Sequence, residues 1–526
     1  PAAPAAAAAP ARGGLAGSTA LLTPRWERGA RAAPGPRDEA PGEWLVVGDG
    51  GDTARAVVAR LEDAGHRTRW VGHAADAGAA GGEAGAWEEL VTGEPLQGVL
   101  RFCGSDACDD AHAELARADR ELSVTLRLLR ALSRSRAAPP RLWLVTRGAQ
   151  VVEDDRCLAS LARSAHWGLG RVAANEHPRL RCALVDLPPV QRLTEDADAL
   201  IEELLSDGAE AEVALRGRDR FVSRLARQPL EAPVRRLTPR ADAAYVITGG
   251  LGALGLAAAR LLVERGARRL VLLGRRGVET DAQRAAIAAM AASGASLTIE
   301  QADVSDGEAM AAILQRHPVR GILHAAGIMA PSMISSVDPS SLSAMTAAKL
   351  RGALHLHEWA ANRPLDFFVL YSSIATLLGT PGQATYAAAN AYLDVLAQHR
   401  RAAGAPALSV AWTVIEDTGM AAGASAKAMS QLADRGLGSV SLELATSALE
   451  RLLTTDEAPA HVGVASFDLE RWSTFHPHAA SSPRLAPLAA AATSRAPGPG
   501  APRRAAPGFA AALRAQAPDD RARSLE

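Results

Sequence analysis

The chain repeats one pattern of strand, helix and strand near the start of each of its halves, and this internal repeat limits the folds open to it. The pattern reads EWLVVGDGG…AVVARLEDAGHRTRWVG from Glu43 and AYVITGGLGALG…ARLLVERGARRLVLLGRRG from Ala244. Further on, GVLRFCG at residues 98–104 corresponds to GILHAAG at residues 321–327. Self-similarity of this kind indicates a duplicated architecture.

The strands of the repeat are short continuous apolar runs, and helical patterns alternate with them along the chain. This order predicts parallel strands buried on both faces. We therefore predict an α/β protein with two tandem Rossmann-like, doubly wound parallel sheets. The predicted divisions are a linker at 1–41 whose start is poorly ordered, a first half at 42–238, a second half at 239–475 and a second linker at 476–526.

The two predicted linkers are rich in Ala, Pro, Gly and Arg, a composition that buries too little apolar surface to offset the entropy of ordering. The second linker leads into FAAALRAQAPDDRARSLE from Phe509, which could begin a helix but stops before a domain is complete. We therefore expect the chain to be part of a longer polypeptide.

Composition and charge exclude several classes of protein. The 57 Lys and Arg are interspersed among 58 Asp and Glu, so no basic stripe for nucleic acid is present. No apolar run approaches membrane-spanning length, and the first residues lack the pattern of a signal peptide. The four cysteines are Cys103, Cys108, Cys157 and Cys182, and they form no paired CxxC spacing that would indicate zinc. We therefore predict a cytoplasmic protein with reduced thiols and without a metal.

A glycine-rich loop joins the first strand of the second half to its helix. In TGGLGALG, the residues Gly250, Gly252 and Gly255 form a GxGxxG pattern. Glycines at this point let the backbone approach a pyrophosphate, and the helix N-terminus supplies N–H donors and a positive dipole. A glycine-rich turn without a ligand is the alternative, which the flanking strand and helix disfavour. We predict dinucleotide contacts at Gly249, Gly250, Gly252, Leu254 and Gly255.

The second strand of this half ends about twenty residues further on in two arginines, Arg275 and Arg276. An enzyme that uses NAD usually has an acidic residue here, which binds the ribose 2′-hydroxyl. Arginines favour a 2′-phosphate, so we predict NADPH as the cofactor, although arginines after a strand are often merely solvated. Asp303 follows the predicted third strand and could receive the adenine amino group.

The first half departs from this pattern at the equivalent loop. Asp49 and Asp52 flank two glycines where a phosphate would lie, and the third glycine of the pattern is missing. Like charges would repel a dinucleotide. We therefore expect the first half to be a structural scaffold.

Side chains suited to protonating a ketone gather near one strand end and the helix after it. Ser372 and Ser373 follow the apolar run DFFVLY. Tyr386 lies thirteen residues beyond Ser373, and Asn390 lies about one helical turn after the Tyr. Reduction of a ketone needs a hydride donor, an acid for the developing alkoxide and donors that stabilise its charge. Because a Tyr with its ordinary pKa of about 10 needs a nearby cation to donate readily, Lys349 is the candidate partner.

From about Trp44 to Trp472 the chain resembles the ketoreductase domain of modular type I polyketide synthases, a member of the short-chain dehydrogenase/reductase superfamily. The resemblance in the second half rests on TGGLGALG, GRRG, HAAG, AAKLRGALHLHE, SSIATLLGTPGQATYAAANAYLD and SVAW. In the first half it rests on WGLGRVAANEHPRLRCALVDL. The resemblance covers most of the chain, and this combination of motifs is highly specific.

The resemblance implies a role for each matching residue. Tyr386 resembles the general acid, Ser373 the hydroxyl that binds the substrate carbonyl, and Lys349 the cation that lowers the Tyr pKa. Asn390 resembles the residue that completes the site, where most members of the superfamily carry Lys. Three residues of HAAG are further predicted cofactor contacts: Ala325, Ala326 and Gly327.

The resemblance also implies a substrate and partners. A β-ketoacyl chain on the phosphopantetheine arm of an acyl carrier protein would be reduced at C3 to the β-hydroxyacyl thioester, with NADPH as the donor. The segment from Phe509 would be the opening of a carrier protein, and neighbouring synthase domains are further expected partners. Two alternatives remain, a scaffold that reduces nothing and an epimerase acting at C2 without net reduction, and the complete catalytic set disfavours the scaffold.

The loops near the substrate carry mixed signals about the configuration of the product. The LDD motif of one class is replaced by Ile328–Pro331, and the Trp that marks the other class is replaced by Leu378. Pro381, by contrast, resembles the first class. Because these signals conflict, no configuration of the product is assigned. We predict a lid at 416–437 and substrate or lid contacts at Met329, Leu378, Pro381, Trp412 and Met420.

For two other clusters of side chains we predict a structural role. His355 and His357 are two positions apart in a predicted helix and therefore point in different directions, so we predict no metal site there. A polar and aromatic cluster of the first half is expected to lie at the interface between the halves: Trp167, Gly168, Arg171, Asn175, Glu176 and His177.

Overall fold

The computed structural model of this chain describes residues 19–31, 41–72, 84–91, 95–104, 111–135, 139–153, 155, 160–228, 235–337, 339–416, 431–456 and 458–493. Within these ranges all sixteen strands belong to a single, mostly parallel sheet. Helices cover both faces of this sheet. The core therefore consists of layers of apolar side chains between the sheet and its helices.

The first half supplies eight strands of the sheet. They are β1 (Thr19–Gly29), β2 (Glu43–Val47), β3 (Arg67–Val71), β4 (Leu96–Phe102), β5 (Arg141–Arg147), β6 (Ala183–Leu187), β7 (Glu212–Arg216) and β8 (Asp219–Gln228). Their order is β1-β8-β7-β6-β5-β4-β2-β3, parallel from β7 to β3. The helices are α1 (Asp52–Asp63), α2 (Ala84–Val91), α3 (Ala111–Arg134), α4 (Ala165–Glu176) and α5 (Leu193–Leu204).

The second half supplies the other eight strands. They are β9 (Ala244–Thr248), β10 (Arg269–Gly274), β11 (Ser296–Gln301), β12 (Val319–His324), β13 (Phe367–Ser373), β14 (Leu408–Trp412), β15 (Leu437–Gly438) and β16 (His461–Phe467). Their order is β11-β10-β9-β12-β13-β14-β16, with β15 beside β16. The order reverses between β9 and β12, and ligands of such sheets bind at the carboxyl ends of the strands at this point.

The helices of the second half follow the same alternation. They are α6 (Ala253–Glu264), α7 (Asp281–Ala292), α8 (Gly307–Gln315), α9 (Pro339–Thr346), α10 (Gly352–Ala360), α11 (Ala375–Leu378), α12 (Ala384–Ala402), α13 (Leu442–Thr454), α14 (Leu469–Phe475), α15 (Pro477–Ala480) and α16 (Ala486–Thr493). A π-helical turn at Ala347–Arg351 separates α9 from α10.

The predicted α/β class with Rossmann-like parallel sheets is confirmed. Strands β9 and β13 are buried along their whole length, because helices cover both faces of the sheet. The division predicted at 238 falls between the end of β8 and the start of β9. The sequence did not indicate that the two sheets are joined edge to edge.

Strand β1 makes this join. It pairs antiparallel with β16 on one side and with β8 on the other, and its residues Leu21 and Leu22 are buried. The prediction of a linker at 1–41 is therefore wrong for residues 19–29. The apolar run TALLTP is buried by two strands that lie some 200 residues or more further along the chain, so its surroundings in the sequence do not reveal the role. Residues 1–18 and 32–40 lie outside the described residues.

The prediction of a linker at 476–526 is also wrong for its first part, where α15 and α16 are ordered and α16 packs on β8. Arg484 is buried between the halves, and its guanidinium lies 3.1 Å from the Glu212 carboxylate. It also donates a 2.6 Å hydrogen bond to the Leu377 carbonyl. Residues 494–526, with the expected carrier segment from Phe509, lie outside the described residues.

Candidate active site

The glycine loop after β9 is shaped by close approaches of the backbone. Gly249 has φ of +64°, and a Cβ on it would lie 2.9 Å from the Ala325 backbone. A Cβ on Gly250 would lie 2.6 Å from the Ile247 carbonyl oxygen, and one on Gly255 would lie 2.4 Å from the Gly249 carbonyl oxygen. Side chains at these three positions would open the loop. The loop is therefore a cradle of exposed backbone, as a pyrophosphate requires.

A cavity of about 510 Å³ opens at the carboxyl ends of β9, β10, β12 and β13. It brings together most of the predicted site residues: Gly249, Gly252, Leu254, Arg275, Arg276, Asp303, Ala325, Ala326, Gly327, Met329, Lys349, Ser373, Tyr386 and Trp412. Gly250 and Gly255 lie behind this wall and shape the loop, while Asn390 lies deeper along α12. The predicted dinucleotide loop and the predicted proton donor thus share one cavity.

The two arginines at the end of β10 differ in their surroundings. Arg276 is exposed and lies 3.2 Å from the Glu279 carboxylate, so its charge is partly engaged. Arg275 faces Asp303 across the cavity rim. Partial burial acts to raise the pKa of Asp303, but hydrogen bonds from Ser305 and the charge of Arg275 lower it overall. Arg275 is therefore the more available of the two for an anionic ligand.

Lys349 lies in the π-helical turn and is 3% exposed. Its Nζ donates a 2.6 Å hydrogen bond to the Tyr371 carbonyl oxygen. Burial lowers the pKa of Lys349 to about 8, and the charge of Asp394 opposes this shift. Gly327 makes room for the side chain, because a Cβ there would lie 2.5 Å from the Lys349 Cε.

Tyr371 is a site residue that the sequence analysis missed. Besides holding Lys349 through its carbonyl group, it lines the cavity. It lies two positions before Ser373 in β13, on the same face of the strand. The alternation of side chains along a strand is the signal that could have identified it.

Tyr386 lies in the first turn of α12 and is 7% exposed. Burial raises the pKa of Tyr386 to about 12, against an opposing hydrogen bond with Asn390. The Lys349 Nζ is 6.0 Å from the centre of the Tyr386 ring. The expectation that Lys349 lowers the Tyr pKa is therefore not met in this structure. The ammonium group is bound to a backbone carbonyl, and loss of solvent dominates at the phenol.

Ser373 and Asn390 complete the predicted set, Ser373 in the cavity wall and Asn390 buried behind it in α12. Ser373 is the last residue of β13, and its Oγ accepts a 3.3 Å hydrogen bond from the Ala375 N–H. The Asn390 side chain is fully buried, and its Nδ2 donates a 2.8 Å hydrogen bond to the Tyr386 carbonyl. Asn390 therefore supports the first turn of α12 from below.

Two of the predicted substrate or lid residues, Leu378 and Pro381, lie off the cavity. Leu378 is buried in an apolar cluster with Ile374 and Leu377, so it does not face the cavity. It ends the short α11, and this places its side chain against the join of the halves. Pro381 is half-buried and also lies off the cavity wall. Met420 lies outside the described residues, although Leu432 and Leu437 from the end of the predicted lid do line the cavity.

The equivalent loop of the first half lines a smaller cavity of about 260 Å³, and its own charged side chains interact within it. The Arg55 guanidinium donates a hydrogen bond to the Gly50 carbonyl and pairs with Asp52. A dinucleotide would have to displace this arginine and approach two acidic residues. The residues of this loop therefore do not fit the cofactor.

His355 and His357 point in different directions, as their spacing in the helix predicts. His357 interacts with Arg400, whereas His355 interacts with the Ser305 carbonyl. The structure also brings His112 of α3 to His355 and Glu358, with one possible ligand atom of each within 4.8 Å of the others. Sequence spacing gave no sign of this group because α3 and α10 are far apart in the chain. Its His112 and Glu358 side chains are hydrogen-bonded to each other at 3.1 Å.

No helix in the described part of the chain is long and apolar enough to cross a membrane. Within the described residues, Cys103 and Cys182 are buried free thiols, and burial raises the pKa of each to about 12. Cys108 and Cys157 lie outside the described residues.

Comparison with known proteins agrees with both halves of the fold. Residues 243–417 match the family described as KR domain, and residues 26–225 match the Rossmann fold domain of the polyketide synthase extender module SpnB. The chain is 37% identical to polyketide synthase GfsA of Streptomyces halstedii over 406 residues, which are 76% of this chain and 5% of that protein.

Solved structures are similar over nearly the whole chain. A-type ketoreductases from a modular polyketide synthase superpose with a TM-score of 0.77 at 30% identity, covering 90% of this chain and 98% of that one. PlmKR1, the ketoreductase from the first module of phoslactomycin biosynthesis in Streptomyces sp. HK803, gives a TM-score of 0.71 at 31% identity. This second match covers 89% of this chain and 98% of PlmKR1.

The sheet, the glycine loop and the cavity define a Rossmann-fold oxidoreductase of the short-chain dehydrogenase/reductase superfamily, whose members bind nicotinamide cofactors. Within that class, the chain belongs to the ketoreductases of modular polyketide synthases. It spans less than a quarter of the length of curated relatives such as GfsA. The activities of those whole synthases are therefore not assigned to it.

Proposed function

We propose that this chain reduces the β-ketone of an acyl thioester, carried by an acyl carrier protein, to a hydroxyl group with NADPH. The observation that carries the proposal is the shared cavity. Tyr386, Ser373 and Lys349 line the same 510 Å³ space as the glycine loop after β9. A ketone placed there would have a proton donor, a hydroxyl for its oxygen and a nearby dinucleotide site.

The residues of the cavity fit a nicotinamide dinucleotide phosphate. The backbone of Gly249 and Gly252 would bind the pyrophosphate at the N-terminus of α6. Arg275 would hold the 2′-phosphate, with Asp303 on the adenine side. When bound, this cofactor supplies the hydride that reduces the carbonyl carbon.

Tyr386 is suited to give the proton to the substrate oxygen. Burial raises its pKa to about 12, so the phenol keeps its proton throughout the neutral range. A developing alkoxide is more basic than a phenolate, and it can therefore take this proton. The Ser373 hydroxyl, at the end of β13, would donate a hydrogen bond to the same oxygen and so hold the carbonyl in place.

Lys349 contributes positive charge beneath the reacting groups. Its pKa of about 8 leaves the ammonium group mainly protonated at neutral pH. This buried cation, held by the Tyr371 carbonyl 6.0 Å from the centre of the Tyr386 ring, would supply positive charge to the cavity that the cofactor and the ketone share. Asn390 holds the first turn of α12, and so fixes the direction of the Tyr386 side chain.

The carrier-bound form of the substrate is supported by the relatives of the chain. They are multidomain synthases, which implies neighbouring synthase domains and a carrier protein as partners. The cavity of about 510 Å³, whose lining includes Trp412 and Leu437, would admit an acyl chain on a flexible arm.

The test is NADPH oxidation by the purified chain with a short α-methyl-β-ketoacyl thioester, free and carrier-bound, followed by chiral chromatography of the product. We expect one dominant stereoisomer from the unaltered chain. Tyr386→Phe should abolish reduction and leave NADPH binding nearly intact. Tyr392→Phe is the matched control, because Tyr392 is buried in the same helix but lies off the cavity, and it should retain turnover.

Either of two results would replace the proposal. If NADPH binds but no thioester is reduced, the chain is a scaffold within its synthase. If the product is inverted at C2 without consumption of NADPH, the chain is an epimerase. Equal turnover by Tyr386→Phe and the unaltered chain would mean that another group provides the proton.

A further inference from the structure

We infer that Glu176, at the end of α4 in the first half, is a positioning residue that holds the two loops of the second half on the substrate side of the cavity. This inference rests on the proposed reduction, because it assigns a role in that reaction. It concerns a residue that lies outside the cavity and belongs to the half without a cofactor site.

The carboxylate of Glu176 bridges the two loops. One oxygen accepts a 2.7 Å hydrogen bond from the Ile334 N–H, and the other accepts a 2.8 Å hydrogen bond from the Gly382 N–H. Ile334 lies in the loop after β12, and Gly382 lies in the loop that leads into α12. The loops also bond to each other directly, since the Ser332 N–H donates to the Gly382 carbonyl at 2.9 Å. The Glu176 side chain therefore connects three segments, namely the end of α4, the loop after β12 and the loop before α12. We call this contact the Glu176 junction.

Both loops lead directly to residues of the cavity. Met329 lines the cavity five positions before Ile334, and Gln383 lines it directly after Gly382. Tyr386 follows in the first turn of α12. A shift of the junction would therefore move the wall next to the substrate and the start of the helix that carries the acid.

Two neighbours on α4 extend the same contact. The Asn175 side chain donates 2.8 Å hydrogen bonds to the carbonyls of Leu378 and Gly379. The Arg171 guanidinium donates a 2.9 Å hydrogen bond to the Thr376 carbonyl and is paired with Glu212. The last turns of α4 thus bind the backbone of residues 376–382 at several points, and Glu176 makes the contacts closest to the cavity.

The cofactor cradle is held by other contacts. Its glycine loop packs on the backbone of Ala325 and on β10, and its helix α6 packs on α7 and α13. None of the hydrogen bonds described for Glu176 reaches these elements. Loss of the Glu176 junction should therefore affect the ketone and leave cofactor binding unchanged.

Glu176→Gln is the decisive variant. The amide keeps the size of the side chain and one acceptor, but it turns an NH₂ donor toward one of the two loop N–H groups. Glu203→Gln is the matched control, because Glu203 is buried in the first half, pairs with Arg220 at 2.6 Å and lies far from either loop. Glu203 is fully buried and ion-paired whereas Glu176 is partly buried, so the control should lower thermal stability at least as much as Glu176→Gln.

The measurements are kcat/KM for the ketone at saturating NADPH, the NADPH Kd by fluorescence, the ratio of product stereoisomers, and hydrogen exchange at residues 332–334 and 380–383. In Glu176→Gln we expect kcat/KM to fall about 10- to 100-fold, since misplacement by about 1 Å has an effect of this order. The minor stereoisomer and loop exchange should increase, and the NADPH Kd should stay within about twofold. Glu176→Asp, which keeps the charge, should recover part of the loss.

The inference is overturned if Glu176→Gln and Glu203→Gln have the same kinetics and the same loop exchange. It is also overturned if the NADPH Kd rises together with the KM for the ketone, because that would indicate general destabilisation. An unaltered chain that reduces no ketone would refute the proposed function instead. Hydrogen exchange at the two loops would then still decide whether Glu176 holds them.

Discussion

Helix α12, which carries the proposed proton donor Tyr386, packs on α4 of the first half at Gly168, where a side chain would clash. A Cβ added at Gly168 would lie 2.2 Å from the Ala387 carbonyl oxygen and 2.8 Å from the Ala388 nitrogen. Ala387 follows Tyr386 directly in the helix. We predict that Gly168→Ala displaces Tyr386, which causes a large loss of kcat and only a small decrease in the free energy of unfolding.

The size of the effect follows from the contact. A carbon and a carbonyl oxygen approach to about 3.3 Å, so the two helices would have to separate by about 1 Å. Overpacking of this kind costs about 1–3 kcal/mol, and replacing Gly by Ala within a helix returns roughly 0.5–1 kcal/mol. The free energy of unfolding should therefore fall by about 1 kcal/mol. A shift of about 1 Å in a reacting group lowers the rate on the order of 100-fold.

Gly170→Ala, in the same helix, is the control. A Cβ at Gly170 would lie 2.6 Å from the Leu184 Cδ2 and 3.1 Å from the Leu144 Cδ1, both at the ends of flexible side chains in the first half. The gain in helix propensity is the same in both variants. The assay is kcat for the β-ketoacyl thioester beside urea unfolding of each protein.

The comparison of the two variants tests the reasoning directly. We expect similar unfolding midpoints, near-normal kcat in Gly170→Ala and a large loss of kcat in Gly168→Ala. If Gly168→Ala retains the kcat of Gly170→Ala, α12 tolerates the displacement, and the position of Tyr386 does not depend on its contact with α4.

Two further predictions concern charge in the cavity. Burial lowers the pKa of Lys349 from 10.5 to about 8, so folding is penalised by about 3 kcal/mol below pH 8, and the penalty disappears as pH rises to 10.5. Urea unfolding should therefore show the unaltered chain gaining stability relative to Lys349→Met between pH 8 and 10.5, and the opposite trend would contradict the burial of a charged Lys349. Arg275→Ala should raise the KM for NADPH about tenfold and change that for NADH little, whereas Arg276→Ala, which loses a residue already paired with Glu279, should have a smaller effect. Equal losses for NADPH and NADH in steady-state kinetics would argue against a 2′-phosphate contact at Arg275.

Local patterns determined much of the site. The spacing of Gly250, Gly252 and Gly255 after an apolar strand located the loop, and the structure places Gly252 in the cavity wall together with the neighbouring Gly249. Ser373 and Tyr386 were found from a strand end and the helix that follows it. Such signals lie within about a dozen residues of chain, where the periods of strands and helices constrain the geometry.

The side-chain environments could not be predicted in the same way. Leu378 occupies a position expected to face the substrate, but it is buried with residues of the join between the halves. Lys349 was expected to act on the Tyr386 pKa, yet its Nζ binds the Tyr371 carbonyl. Burial and hydrogen-bond partners arise from several elements together, so no single segment of sequence specifies them.

By itself, the sequence determined the α/β class, the duplication and the loop that can hold a dinucleotide, because each follows from a pattern within a contiguous segment. Only the tertiary structure decided that β1 joins two sheets into one and that Arg484 pairs with Glu212 of β7. Only the tertiary structure decided, too, that Glu176 of the first half binds two loops of the second. These contacts link residues that are 150 or more positions apart, and their energies depend on surfaces that exist only after both halves have folded.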